Sequence, residues 1–170
     1  MFAGVGEDPV HYGLVRSLAS PGGNITGLVT LYADLVAKQL ELIKEAVPSV
    51  SRVTVVWDAG LEQALAPSFK SLKVAAQALG MQPQLVSVRG PNDFAGVFRA
   101  AASARAGALI LFPSPTFFVH HVRMASLAAV YRFPAISPFP EFAQAGGFMT
   151  YGPNLLKIAG YAARMVDRIL

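Results

Sequence analysis

The chain has 170 residues, enough for a domain with a real core and too few for two full ones. With 54% apolar and 14% charged residues and no cysteine, it is neither a disordered chain nor a disulfide scaffold. The net charge of +4 arises in residues 89–132, where Arg89, Arg99, Arg105, Arg123 and Arg132 face Asp93 alone. These arginines are spread singly, with no basic run, and read as solvated charge with no nucleic-acid partner.

The chain begins in a strand pattern, and Met1-Phe2-Ala3-Gly4 shows no signal peptide. Asp8-Pro9 signals a helix start, with Val10, Leu14 and Leu18 on one face and Pro21-Gly22-Gly23 as the stop. A short strand is expected over Asn24–Val29. A helix opening at Thr30 or Asp34 follows, with Val36, Leu40, Ile43 and Val47 in register and Pro48 as its end.

From Ser51 the pattern alternates. The β-branched run Arg52–Trp57 predicts a buried strand. Pro67 opens a helix through Phe69, Leu72, Ala76 and Leu79, closed by Gly80. Gln84–Val88 is the next strand, and Asn92 or Asp93 caps a helix through Phe94, Val97, Phe98 and Ala101. Then come a strand at Ala108–Phe112, a helix over Phe117–Arg132 and a strand at Ala135–Ser137. A turn of helix at Glu141–Gln144 is broken by Gly146-Gly147 and followed by a strand at Phe148–Tyr151. Asn154 caps a last helix, which still runs at Ile169-Leu170, so both ends read as cut. Strands alternating with helices predict an α/β fold, a Rossmann-like three-layer arrangement around a mainly parallel sheet. Uncharged residues 106–122 include Pro113, Pro115, His120 and His121, unlike a membrane span of about 20 apolar residues.

Ligands of such sheets bind beyond the carboxyl ends of the strands. The chemistry there is not that of a nucleotide site: Gly4-Val5-Gly6 runs into Glu7-Asp8-Pro9, and no phosphate loop or nucleophile elbow occurs. His120 and His121 are adjacent and diverge on a helix, and His11 near Glu7 and Asp8 makes a poor metal set, so no cofactor or metal is expected. What remains is Asp8, Thr30, Trp57, Ser114, Thr116, Phe139 and Tyr151. This set suits a small zwitterion: aromatics for an apolar side chain, hydroxyls and backbone amides for a carboxylate, an acid for an amine. Asp8 is either a ligand group or an N-cap. Trp57 and Tyr151 either face the ligand or pack in the core. Of Phe117 and Phe118, one is expected in the core and one in the cleft.

Several strings carry a resemblance. They are Gly6-Glu7-Asp8-Pro9-Val10, Ser20-Pro21-Gly22-Gly23-Asn24-Ile25-Thr26-Gly27, Gln39–Pro48, Val88–Phe94 and Ala145–Leu155 with its Tyr151-Gly152-Pro153-Asn154. Together they resemble the substrate-binding proteins of bacterial ABC uptake systems, in the branch that includes tryptophan- and tyrosine-type binding proteins. The resemblance implies a type I periplasmic-binding-protein fold of two lobes with the ligand between them, no catalysis, an ABC permease as partner and a periplasmic or lipid-anchored location. It also implies that 1–50 is a remnant of the N-terminal lobe with a crossover helix, 51–153 a complete C-terminal lobe and 154–170 a returning helix. Trp57-Asp58-Ala59-Gly60 departs from the family's usual Asn-Pro-rich turn. On this reading one wall of the cleft is mostly absent, weak ligand binding is expected, and uncovered apolar surface leads to a homo-oligomer. An isomerase or hydrolase on the same fold would need an acid/base pair, for which Glu7, Asp8, Asp58 and Glu62 show no clear partner. A ligand-sensing domain of a transcription regulator is the third alternative.

Overall fold

The structure is a computed structural model that describes residues 2–5, 9–10 and 13–169. It divides into two compact units, Met1–Tyr32 with Pro153–Leu170, and Ala33–Gly152.

In the first unit, strands β1 (Phe2–Val5) and β2 (Gly27–Thr30) pair in parallel, and helix α7 (Leu155–Ile169) lies against both. Asn154 caps α7 as expected, its Oδ1 accepting from Lys157 N at 3.0 Å. The helix expected from Asp8 to Leu18 does not form over the described residues 13–20. Gly13 takes a left-handed φ of +66° and closes a turn to the Val10 carbonyl, which ends any helical run there. Val10, Leu14 and Leu18 are all exposed, so the apolar spacing has no core to face.

The second unit is built on a five-stranded, wholly parallel sheet of order β4-β3-β5-β6-β7. Its strands are β3 (Arg52–Asp58), β4 (Gln82–Val88), β5 (Ala108–Leu111), β6 (Ala135–Ser137) and β7 (Met149–Thr150). Val53 to Val56 are fully buried because both faces of the sheet are covered, which is what a continuous β-branched run requires. Val53 and Val55 pack with Val36, Leu40 and Ile43 of α1 (Tyr32–Ala46) and with Leu65, Leu72 and Ala76 of α2 (Glu62–Ala78). Val56 packs on the opposite face, with Phe94, Val97 and Phe98 of α3 (Phe94–Ser103) and Met124, Ala125 and Ala128 of α5 (His121–Val130). The result is the expected three-layer α/β arrangement.

Three local expectations are corrected. Pro67 lies inside α2 rather than opening it. The turn Ala59–Leu61, capped by Asp58, starts the helical path upstream of it. Residues 117–132 form two helices, α4 (Pro115–Val119) and α5, separated at His120, whose φ and ψ of −103° and 23° leave the helical region. Asp93 precedes α3 but does not cap it: its Oδ2 accepts from Arg89 N at 2.8 Å.

Candidate functional site

The strand order decides where a site can lie. After β3 the chain adds β4 on one side and then crosses to add β5, β6 and β7 on the other. The crevice outside the carboxyl ends of β3 and β5 is therefore the topological switch point, where open α/β sheets bind ligands. The ladder holds this crevice in register: Val56 pairs with Leu111, and Phe112 N donates to the Val56 carbonyl at 2.9 Å.

Asp58 ends β3, and Ser114 and Thr116 follow β5. The Ser114 and Thr116 hydroxyls both donate to Asp58 Oδ2, each at 2.8 Å. Gly60 N donates to Asp58 Oδ1 at 3.0 Å, and Thr116 N donates to Ser114 Oγ at 3.0 Å. Ser114 is 1% exposed, whereas Asp58 and Thr116 are half-buried. Burial alone would push the Asp58 carboxyl up. The hydrogen bonds from Thr116, Ser114 and Gly60 outweigh it and hold the group below the usual carboxylate range. Asp58 forms no ion pair with any described residue.

Aromatic residues stand near this cluster in the chain and at the ends of the neighbouring strands. Phe118 stands one helical turn beyond Ser114, its N donating to the Ser114 carbonyl at 3.0 Å. It is 37% exposed and lies edge-on over the buried Phe139 at 5.3 Å between ring centroids. Phe117 is buried in the core, as expected of one of the two phenylalanines, and Phe118 is exposed. Trp57 is half-buried, edge-on to Phe69 at 5.2 Å, and Phe69 stacks on Phe112. Its indole Nε1 is buried without a hydrogen-bond partner. Tyr151 is 37% exposed at the edge of the sheet. Its N donates to the Ser137 carbonyl at 3.0 Å, and its own carbonyl accepts from Gln39 Nε2 at 2.8 Å.

Of the residues singled out in the sequence, Ser114 and Thr116 are thus brought into one bonded cluster. Trp57 directly precedes Asp58, and Phe139 follows β6 under Phe118. Thr30 ends β2 in the other unit, paired with Val5. Asp8 lies outside the described residues, as do Glu7 and His11. Asp58 is the residue that the sequence named only as an acid without a partner. Its neighbours stand 56 and 58 residues away, so only the β3–β5 pairing reveals them. His120 lies edge-on to Phe94, and His121 Nδ1 donates to the Phe118 carbonyl at 2.7 Å. Among the described residues no three His, Asp or Glu side chains gather as a metal set.

Residues 1–170 match the sequence family described as ABC transporter substrate binding protein. The chain belongs to this family. A tyrosine-binding protein of Clostridioides difficile is 39% identical over 51 residues, 30% of this chain and 14% of that protein. Among solved structures, a conserved domain protein of Vibrio cholerae is 26% identical with a TM-score of 0.81, covering 95% of this chain and 53% of its own. An ABC domain from Streptococcus pneumoniae in complex with L-Trp is 20% identical with a TM-score of 0.79, covering 95% and 54%. The chain therefore spans about half the length of the solved relatives it matches. No helix among the described residues of this substrate-binding family member is long and apolar enough to cross a membrane.

Proposed function

We propose that the chain serves as the solute-binding component of an ABC uptake system, without catalysis, and takes a small aromatic or amino-acid-like ligand. The carboxyl end of the five-stranded sheet supplies a wall of the binding site. The observation that carries this reading is the cluster at the switch point, where a carboxylate is held by two hydroxyls and the exposed Phe118, packed on the buried Phe139, follows Ser114 by one helical turn. That set offers polar and apolar contacts together, as small-ligand sites do. The absence of a second titratable group bonded to Asp58 among the described residues speaks for binding rather than acid/base chemistry. The L-Trp and tyrosine ligands of the two relatives support the ligand class. In this reading the protein works outside the cytoplasm and delivers its ligand to a permease. Self-association through exposed apolar side chains is part of the same proposal, and light scattering at high concentration tests it.

The binding test is an NMR titration of the 170-residue chain with L-tryptophan, L-tyrosine and D-ribose at millimolar concentration, which detects weak binding as well as strong. The aromatic amino acids are expected to shift the amides of Asp58, Ser114, Thr116, Phe118 and Phe139, and ribose is not. Shifts confined to other parts of the chain, or none, overturn the assignment.

A further inference from the structure

The cluster at the switch point has an unusual donor inventory. An ionised carboxylate only accepts, and it has about four lone-pair positions. On Asp58, two on Oδ2 are taken by the Ser114 and Thr116 hydroxyls and one on Oδ1 by Gly60 N. Both hydroxyl protons are committed to the carboxylate, because the acid has none to give back. Ser114 Oγ accepts in addition from Thr116 N, and at 1% exposure Ser114 is closed to an incoming group. What the cluster still offers to an incoming group is the free lone pair of Asp58 Oδ1 and the lone pairs of Thr116 Oγ1. Both are acceptors, and both residues are half-buried rather than closed off.

A ligand carboxylate finds no donor among these side chains, contrary to the zwitterion arrangement suggested by the hydroxyls in the sequence. A cation does. The three hydrogen bonds from neutral donors fix the charged carboxylate in one orientation, yet no described lysine, arginine or histidine neutralises it. A fixed anion in a partly desolvated position lacks only a counter-charge, and a cationic donor adds to its hydrogen bond a Coulomb attraction that a neutral donor cannot supply. An exposed apolar surface for the body attached to such a cation is offered by Phe118, one helical turn beyond Ser114 and backed by Phe139.

We propose that Asp58 and Thr116 form an ammonium subsite: this wall takes the protonated amine of the ligand, and solutes without an amine are rejected. The inference rests on the solute-binding reading above and deepens it by assigning one end of the ligand to named atoms. A primary ammonium suits the site because it brings three donors to a surface made of acceptors. Asn in place of Asp58 would present an uncharged amide there.

The experiment compares three probes on the 170-residue chain by NMR titration: L-tryptophan, tryptamine, which keeps the amine and lacks the carboxylate, and indole-3-propionate, which keeps the carboxylate and lacks the amine. L-Tryptophan and tryptamine are expected to bind, with indole-3-propionate weaker by about 10- to 100-fold, the range of one charge-assisted hydrogen bond. Asp58→Asn is expected to lower the affinity for tryptamine by a similar factor and to leave that for indole-3-propionate unchanged. The proposal is overturned if indole-3-propionate binds as well as tryptamine, a result that needs no variant. It is equally overturned if a folded Asp58→Asn protein keeps its tryptamine affinity. Failure of all three indoles defeats the aromatic-ligand reading instead. In that case n-pentylamine and n-pentanoate probe the subsite alone. Amide shifts at Asp58 and Thr116 with the amine only uphold it, and their absence overturns it.

Discussion

Thr116 and Asp58 meet across the switch point of the sheet, the hydroxyl of one donating to the carboxylate of the other at 2.8 Å. The bond ties the end of β3 to the start of the helix that follows β5. Ser114 makes the same kind of bond and also accepts from Thr116 N. The two hydroxyls are therefore not equivalent, and their removal separates them.

Ser114→Ala is expected to cost about 2 kcal/mol of stability, because it leaves the Thr116 N–H without its partner and the carboxylate with one donor fewer. Thr116→Val removes a single bond at a half-buried position and is expected to cost about 1 kcal/mol. Chemical denaturation of both variants checks the order. Equal losses would mean that the buried Ser114 is relieved by some rearrangement of the loop.

The pH dependence follows from the same bonds. The folded-state pKa of Asp58 lies below its ordinary value, so its contribution to stability is present above about pH 4 and is lost as the pH falls through the folded-state value. Wild-type protein is expected to lose stability on acidification through that window. Asp58→Asn has no proton to take up there and is expected to show a shallower acid limb in denaturation measured from pH 6 to pH 2. Superimposable limbs would show that the carboxylate does not sense folding.

Tyr32 begins α1, is 2% exposed and carries a hydroxyl with no hydrogen-bond partner. Burial raises the pKa of that hydroxyl, which stays protonated. A buried hydroxyl without a partner bears its desolvation cost with no return. Tyr32→Phe is expected to fold with unchanged or higher stability, by up to about 1 kcal/mol, in thermal and chemical denaturation. A clear loss would show that the hydroxyl is satisfied in solution.

How far the sequence carries can be judged from particular residues. Ala135–Ser137 and the Asn154 cap were legible because each is a local signal: a short apolar run between turn formers, and a side chain reaching its own helix. The Asp8–Leu18 helix was misread because i, i+4 spacing says nothing about whether a core exists for that face, and Gly13 adopts a conformation the spacing does not reveal. At the site, Ser114 and Thr116 were visible as hydroxyls at a strand end. Their commitment to Asp58 was not, since it depends on β5 lying beside β3, on the side opposite β4. Pairing across 56 residues is a property of topology, and no local pattern encodes it.

Two glycines separate backbone packing from backbone entropy. At Gly152, just beyond β7, a Cβ would overlap the backbone of Pro138, which follows β6. Gly152→Ala must push the two segments apart. The bond at risk is Tyr151 N to the Ser137 carbonyl, which anchors the end of β7. Overpacking of this kind costs about 1–3 kcal/mol. Because Tyr151 and Phe139 lie on the displaced segments, their NMR shifts should move with the stability. At Gly160, inside α7, a Cβ meets nothing within 4 Å. Gly160→Ala removes only the entropic penalty of glycine in a helix and is expected to stabilise by about 0.5–1 kcal/mol. Opposite signs for the two substitutions in the same denaturation assay are the expected result. A neutral Gly152→Ala would mean that the 138–152 approach is looser than the structure shows.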